Sequence, residues 1–330
     1  MANIKDVARE AGVSVATVSR VFNGGTQVAE ATAQRVREVA TRLDYVPDAA
    51  ARSLITGRTH ALGVVLPELH GEFFTEVIRG LDRAARGQGM HLLVSGSNTD
   101  AASFEAALRS MRGRVDGLVL MTPDRVTSVA AERFRDQVPV VLLNPATDAG
   151  RCDSITFDNA GGAHLMTQHL LSLGHLRVAT VTGPIDNVDA NQRLAGYRHA
   201  MRDAGMADPA LELQGDFTEV GGRHAVGELL ALTPRPTAVF VANDHMAVSL
   251  MAGLQERGVS VPGEIAVGGF DDIAMARYVT PALSTVHVDL DTLGQHAVAR
   301  LLERARGEAP PEGRVERLCA ALVIRKSCGS

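Results

Sequence analysis

A short segment near the N-terminus constrains this chain more than any other. Residues 3–23 read Asn-Ile-Lys-Asp-Val-Ala-Arg-Glu-Ala-Gly-Val-Ser-Val-Ala-Thr-Val-Ser-Arg-Val-Phe-Asn. Ile4, Val7, Ala8 and Ala11 recur at the i, i+3, i+4, i+7 spacing of one buried helix face. Asn3 can cap this helix, with Asp6 in a capping-box-like position three residues on. Gly12 follows where a Cβ would clash with a tight turn, and Ser14 is a good N-cap for a second helix. That helix has Val18, Val21 and Phe22 as its apolar stripe and ends at Gly24-Gly25. A third helix is expected over residues 30–44, with Val36, Val39, Ala40 and Leu43 inward. The three stripes can close a small core, and the first two helices have the layout of a helix-turn-helix DNA reader.

Periodicity alone would fit any small helical bundle. The outward residues of the second helix separate the two readings. Val15 and Ala16 are small and apolar and suit thymine methyl groups, and Arg20, one turn later, suits a bidentate contact to a guanine edge. Thr17 and Ser19 can bond phosphates, which positions a helix without reading sequence. Charge points the same way. Residues 1–58 carry eight Lys/Arg and six Asp/Glu, a net +2, while the whole chain is −5 and the remainder therefore −7.

At 330 residues the chain has room for two to three domains, at roughly 100–200 residues per domain. Hydrophobic residues make up 45%, as in soluble globular proteins. Cys152, Cys319 and Cys328 are odd in number and form no C-x-x-C, which fits free thiols in a reducing cytoplasm. The N-terminus lacks an apolar signal-peptide core, and no apolar run reaches the length of a membrane span. A cytoplasmic location without membrane contact is expected. No P-loop, G-x-S-x-G or H-E-x-x-H motif occurs. The eleven histidines do not fall at metal-ligand spacings with the cysteines. No catalytic residue, metal or cofactor is therefore expected, and enzyme activity is disfavoured.

Residues 47–58 include Ala49-Ala50-Ala51-Arg52-Ser53-Leu54-Ile55-Thr56-Gly57. This run favours helix but spans under three turns, so it should be helical only when docked against something. From residue 61 apolar runs of four to six residues alternate with amphipathic segments. Strands are expected near 61–66, 91–95, 117–121, 139–143, 178–182, 211–214, 237–242, 265–269 and 320–324. Helices are expected near 73–88, 103–113, 129–136, 162–173, 192–204, 221–232, 245–258 and 290–306. This is the signature of parallel sheets covered on both faces, and two tandem units make a two-lobed α/β body. The last helix and strand could return to complete both lobes. Ligands in such sheets sit beyond the C-terminal strand ends, where Phe73, Phe74, Asn243, Asp244, Asp271 and Asp272 fall.

Several further motifs follow in order. They are Tyr45-Val46-Pro47 with Ala51-Arg52-Ser53-Leu54, Val115-Asp116-Gly117-Leu118, Asp158-Asn159 with Gly161-Gly162-Ala163, and His169-Leu170 with Leu173-Gly174-His175. Beyond them lie Arg193-Leu194-Ala195-Gly196-Tyr197, Ala242-Asn243-Asp244, Val267-Gly268-Gly269-Phe270-Asp271-Asp272 and Pro281-Ala282-Leu283-Ser284-Thr285-Val286. With residues 4–23 they cover the chain nearly end to end, and the whole resembles the LacI/GalR family of bacterial transcription regulators.

The resemblance implies a helix-turn-helix headpiece (1–46), a hinge helix (47–58) and a periplasmic-binding-protein-like core (59–330). The first lobe would take about 59–159 and 291–319, the second about 160–290 and 320–330. It implies a palindromic double-stranded operator as partner, read by Ser14, Val15, Ala16, Thr17, Ser19, Arg20 and Asn23. Leu54 would wedge into the minor groove, as in other groove benders. In the cleft, Asp271 and Asn243 can bond sugar hydroxyls and Arg193 can donate in a planar fork. Phe74 and Phe217 can stack on a sugar ring.

Two departures bear on specificity. The family often has Asn-Pro-Phe-Phe after the first core strand, where this chain has Gly71-Glu72-Phe73-Phe74, so Glu72 brings a carboxylate towards the ligand. The chain lacks the leucine-heptad tail of a tetramer, and a homodimer is expected. The function expected is repression of carbohydrate-utilisation genes under a sugar effector. A purine- or other small-molecule-responsive corepressor system is the alternative, and a solute-binding protein without a regulatory role is a third reading. The sign of the response, inducer or corepressor, is open at this point.

Overall fold

The computed structural model describes all residues except 1, 23–27, 46–56, 98–99, 133, 135–136, 148 and 330. The chain divides into two compact units, Met1–His60 with Gly113–Val115, and Ala61–Arg112 with Asp116–Ser330.

The first unit is built from α1 (Ile4–Ala11), α2 (Val15–Phe22) and α3 (Glu30–Arg42). Asn3 accepts from the Lys5 and Asp6 amides, and the Asp6 carboxylate takes the Asn3 amide at 3.1 Å, completing a capping box. Gly12 turns in the left-handed region at φ 63°. Ser14 Oγ accepts from Thr17 N at 3.1 Å and so starts α2. Val7, Ala8, Ala11, Val18, Val36, Val39 and Ala40 form one buried cluster, flanked by Ile4, Val21, Phe22, Leu43 and Tyr45. Arg35 Nε donates to the Ala11 carbonyl at 3.0 Å, tying α3 to an orphan acceptor at the end of α1. The third helix stops at Arg42, two residues short of expectation, and Asp44 lies at φ 50°.

The second unit opens with β1 (Ala61–Leu66), α4 (Glu72–Gly87), β2 (His91–Gly96), α5 (Ala101–Met111), β3 (Gly117–Met121), α6 (Arg125–Glu132), β4 (Val140–Leu143) and β5 (Asp153–Phe157). It continues with α7 (Asn159–Ser172), β6 (Val178–Val181), α8 (Val188–Asp203), β7 (Glu212–Leu213), α9 (Glu219–Ala231), β8 (Ala238–Val241), α10 (Asp244–Glu256) and β9 (Ala266–Gly268). The chain then forms β10 (Thr285–Val288), α11 (Leu290–Ala305), β11 (Val315–Leu318) and β12 (Ala320–Val323). Short 3-10 turns occupy Pro209–Leu211 and Ala274–Arg277.

Six parallel strands make the first lobe, in the order β11-β5-β4-β3-β1-β2. Four parallel strands make the second, ordered β7-β6-β8-β9. An antiparallel pair, β10 and β12, lies beside the second sheet, bridged to it at Gly268–Ser284 and Asp271–His287. The chain passes between lobes three times: from β5 to α7, from β10 to α11, and from β11 to β12. β1, β3 and β4 are buried along their whole length, as strands covered on both faces must be.

Three strands were not expected from the sequence. β5 reads Asp-Ser-Ile-Thr-Phe and β11 reads Val-Glu-Arg-Leu, so neither presents an apolar run. β10, Thr-Val-His-Val, is equally short and mixed. The polar start of β5 has a specific use. Asp153 is fully buried and takes Arg304 through two bonds of 2.9 Å, one to each oxygen. It also takes Arg314 Nη2 at 2.9 Å and the Arg314 amide at 2.8 Å. This clamp fastens α11 and the approach to β11 to the lobe that the chain left at residue 157.

Burial alone would raise the Asp153 pKa, but the hydrogen bonds from Arg314 and Arg304 outweigh it and hold the carboxyl well below the usual carboxylate range. A depressed folded-state pKa stabilises fully above the unfolded value and is lost as pH falls through the folded one. Arg304→Ala should therefore cost about 1.5–3 kcal/mol in urea unfolding at pH 7, because it removes charge-assisted bonds and leaves the buried carboxylate to Arg314 alone. The deficit should shrink as pH falls below about 4, and a pH-independent deficit would show that packing is lost, not the ion pair.

Candidate functional site

Two surfaces concentrate the residues singled out above. The first is the outer face of α2. Val15, Ala16 and Arg20 are exposed there, opposite the buried Val18, and Arg20 makes no ion pair among the described residues. Thr17 and Ser19 lie half-buried beside them. Ser14 spends its hydroxyl locally, on Thr17 N and on Thr17 Oγ1 at 2.9 Å, so its visible role is to start the helix. Asn23, Leu54 and the segment 46–56 lie outside the described residues.

The second surface is the cleft where the C-terminal strand ends of the two lobes face each other. Arg193, on α8, is buried at 4% exposure and fills the centre of the second lobe's side. Its Nε donates to Asn159 Oδ1 at 2.9 Å, its Nη1 to the Ala242 carbonyl at 2.6 Å, and its Nη2 lies 3.0 Å from Asp271 Oδ1. That last contact has the distance of an ion pair but not hydrogen-bond geometry, so the Asp271 oxygen is left without a hydrogen bond. The guanidinium carbon sits 3.8 Å from the Phe270 ring centroid and 5.7 Å from that of Phe217, a cation flanked by aromatic faces.

Asp271 lies at φ 110° and Phe217 at φ 68°, a region that side chains other than glycine rarely occupy. Held strain of this kind clusters at ligand sites. Asn243 uses both ends of its amide within the protein: Oδ1 caps α10 through Met246 N at 3.0 Å, and Nδ2 donates to the Phe217 carbonyl at 2.9 Å. It therefore positions Phe217. Asp272, the neighbour of Asp271, is tied to Arg325 and to His287 at 3.1 Å.

From the first lobe, Glu72 reaches across. Its Oε2 accepts from Met275 N at 3.0 Å and its amide donates to His245 Nε2 at 3.3 Å. Gly71, at φ 89°, leaves no room for a Cβ, which would lie 2.7 Å from the His245 ring. The residues that depart from the family pattern thus form a contact across the mouth of the cleft. Phe74 packs edge-on against Phe73 at 5.4 Å, and Phe73 in turn against Phe157 at the end of β5.

Sequence reasoning missed the polar layer behind these residues. Asp189 is buried and takes Asn144 Nδ2 at 3.0 Å and Asn159 Nδ2 at 2.8 Å. Asn144 follows β4 of the first lobe and α8 carries Asp189, so this is a third bond between lobes, after the two at Glu72. A fourth is the Val188 amide on the Pro123 carbonyl at 2.8 Å. Asp244, fully buried, accepts from Thr285 Oγ1 at 2.6 Å and from Ile273 N at 3.0 Å. Asp244 stood in the sequence at a strand end, but Asn144, Asn159 and Asp189 sit singly at turns and helix starts, where no period marks them.

Asp189 and Asp271 therefore share one guanidinium, and Asp244 adjoins Asp271. Burial raises the Asp189 carboxyl, opposed by Arg193. Burial and the neighbouring Asp271 push Asp244 well above its usual value. Burial raises Asp271 to about 6 in spite of Arg193. The strongest nucleophile-like pairing elsewhere is His169 Nε2 with Cys328 Sγ at 3.3 Å, but that thiol is buried and hydrogen-bonds Ser284 Oγ, out of reach of a substrate. His175 bonds Thr237 Oγ1 at 2.9 Å.

Comparison with known proteins decides the family. The description "Bacterial regulatory proteins, lacI family" matches residues 3–48, and "Periplasmic binding protein-like domain" matches residues 167–328. The ribose operon repressor of Escherichia coli (strain K12) is 39% identical over 307 residues, covering 92% of this chain and 93% of that protein. The chain belongs to the lacI family of bacterial regulatory proteins. Within the family, the HTH-type transcriptional repressor PurR of Aliivibrio fischeri (strain MJ11) is 36% identical over 332 residues, 99% of this chain and 98% of its own. The lac repressor dimer bound to operator and the anti-inducer ONPF superposes with TM-score 0.89 at 30% identity, over 100% of this chain and 99% of that one. The lacI-family chain is a DNA-binding transcription regulator, and the two-lobed fold behind a helix-turn-helix unit is that of its relatives.

The carboxyl excess around Arg193 has a measurable consequence. A carboxyl whose folded-state pKa is raised keeps its full stability only while protonated, so wild-type stability should fall as pH rises from about 4 to about 6. The change should be on the order of 2–3 kcal/mol, before other groups contribute. Asp271→Asn should flatten that part of the curve and unfold no more easily than wild type at pH 8. A variant much less stable at pH 8 would mean that the Arg193 pairing outweighs the burial of the charge.

Proposed function

We propose that this regulator is a homodimeric repressor that binds a palindromic operator through α2 and answers to a small sugar held between its lobes. The observation that carries the cleft assignment is the buried Arg193–Asp271 pair at the strand ends, with Asp271 and Phe217 both held at positive φ. A planar donor fork, an acceptor lacking a hydrogen bond and an aromatic face are the groups that a polyhydroxylated ring uses. The ribose operon repressor among the relatives makes ribose the first compound to test, with purine bases second in view of PurR.

The residues assigned to the effector are Arg193, Asp271, Phe74, Phe217, Asn243 and Glu72. Asn243 acts through Phe217, and Glu72 acts at the cleft mouth. On the DNA side, Arg20, Val15 and Ala16 read base edges, Thr17 and Ser19 contact phosphate, and Ser14 sets the helix start. Asn23 and Leu54 keep the roles the resemblance gives them, with residues 47–58 as the hinge between a headpiece of 1–46 and the core. The first lobe is taken as 59–159 with 291–319 and the second as 160–290 with 320–330, a division that the two parallel sheets support. Exposed Leu69, Leu93, Val126 and Val129 on the first lobe suit burial against a second copy. A partner that is chromosomal DNA puts the protein in the cytoplasm.

Arg20→Ala should cost about 1–3 kcal/mol at one base pair of each half-site and relax preference there, as read by mobility shift on an operator mutant series. Uniform loss across all sequences would make Arg20 a phosphate contact. For the cleft, a thermal-shift screen of ribose, other sugars and purine bases is the direct test. A sugar at 100 times its dissociation constant should add about 2.7 kcal/mol of stability, and Asp271→Ala should abolish both that gain and the change in operator affinity. A purine that stabilises where no sugar does would displace the sugar reading.

A further inference from the structure

A cluster on the second lobe, away from the cleft residues, has the composition of a metal site. α7 and α8 cross closely because Gly196 has no side chain: a Cβ there would lie 2.1 Å from the Ala160 carbonyl oxygen and 3.0 Å from the Ala163 Cβ. One turn beyond that crossing, His164 on α7 meets His199 and Asp203 on α8. His199 and Asp203 are four residues apart and so share a helix face, with Nε2 and Oδ2 3.4 Å apart. The two imidazole rings lie 4.8 Å apart at 40°. One donor atom from each of the three residues falls within 4.8 Å of the others. The Nδ1 atom of His164 is buried and has no hydrogen-bond partner. A pocket of about 410 Å³ opens beside the cluster, lined by Ala160, Gly161, His164, Gly196, His199 and Arg202, among others.

We propose that His164, His199 and Asp203 form a binding site for a divalent transition-metal ion, of the zinc, cobalt or nickel class, that staples α7 to α8. Two imidazoles and one carboxylate are the donors of such ions, whereas magnesium and calcium take all-oxygen sets. Metal–ligand bonds of about 2.0–2.2 Å place tetrahedral donors about 3.3–3.6 Å apart. The His199–Asp203 pair already has that separation, and the third donor closes the set by a small side-chain rotation. The fourth position faces the pocket and takes solvent or an exogenous anion. The ion would brace α8, the helix whose first half carries Asp189 and Arg193. The pattern was invisible in the sequence because 35 residues separate His164 from His199 and no cysteine is involved.

The test uses the full-length, untagged protein in a Cys319→Ser background, since Cys319 is an exposed thiol that can itself bind zinc. Titration with zinc chloride by calorimetry, and with cobalt chloride by visible absorption, should give one ion per chain. His199→Ala and Asp203→Asn, both at exposed positions, should each weaken binding by at least about tenfold, and the cobalt spectrum should lose its tetrahedral intensity. Arg202→Ala removes a like charge from the pocket and should bind zinc at least as tightly. Equal zinc affinity in the His199→Ala/Asp203→Asn double variant would overturn the proposal, as would the absence of saturable binding below millimolar zinc. Weaker binding in Arg202→Ala would overturn it too, because it would identify an anion site.

Discussion

One buried guanidinium organises the second lobe. Arg193 is reached by groups from four separate elements: Asn159 at the start of α7, the Ala242 carbonyl after β8, Asp271 after β9, and the aromatic faces of Phe217 and Phe270. Those elements are distant in sequence, and the guanidinium adds a side-chain tie to the backbone bonds that join their strand ends. An arginine can hold them because its planar fork presents several donors in fixed directions while remaining charged. Asp189 and Asp271 share this one cation and Asp244 adjoins Asp271, and burial raises all three. A layer like this costs stability. That is the condition under which a ligand with well-placed donors gains most from entering.

Among the described residues the lobes meet through a small set of polar contacts. Glu72 bonds Met275 and His245 at the cleft mouth, while Asn144 bonds Asp189 and Pro123 accepts from Val188 further in. All of these join a strand end or helix start of one lobe to one of the other, so all depend on the separation of the lobes. The crossovers between lobes lie at the ends of β5, β10 and β11, and the Asp153 clamp holds the returning segments to the first lobe. Fully buried charge fixes the first lobe internally at Asp153, while the lobes are joined at two depths, by Glu72 at the cleft mouth and by the buried Asn144–Asp189 bond further in.

Much of this was legible in the sequence because it rests on local rules. The capping box at Asn3 and Asp6, the left-handed Gly12 and the stripe Val7, Ala8, Ala11 are each set within four residues of chain. Apolar runs marked β1, β3, β4, β6 and β8 because strands covered on both faces need no alternation. Arg193 and Asp271 were singled out within motifs and Phe217 as an aromatic able to stack, though none of these readings carries geometry by itself. What escaped was non-local. β5 begins with an aspartate that makes sense only once Arg304 and Arg314 arrive from 151 and 161 residues away. The Asn144–Asp189–Asn159 layer joins three turns with no period in common. Glu72 reads as a ligand group in the sequence, yet its carboxylate is met by the Met275 amide 203 residues on.

The weakness of the inter-lobe contacts sets how an effector can act. A ligand shifts a conformational equilibrium only by its difference in affinity between the two states. Neutral hydrogen bonds are worth about 0.5–1.5 kcal/mol each and those to charged groups about 1.5–3 kcal/mol, and both kinds occur here, the second at the Glu72 and Asp189 carboxyls. The four named between the lobes sum to a few kcal/mol, the scale on which two arrangements of the core would differ. Allosteric couplings are typically 1–3 kcal/mol, so a small molecule that bonds both lobes has enough leverage to choose between them. A stronger interface would have locked the lobes together and left nothing for the ligand to decide. The Asp153 clamp lies within one lobe and does not enter that balance. Substitutions at Glu72 or Asn144 should therefore change the response to effector, and substitutions at the clamp should change only stability.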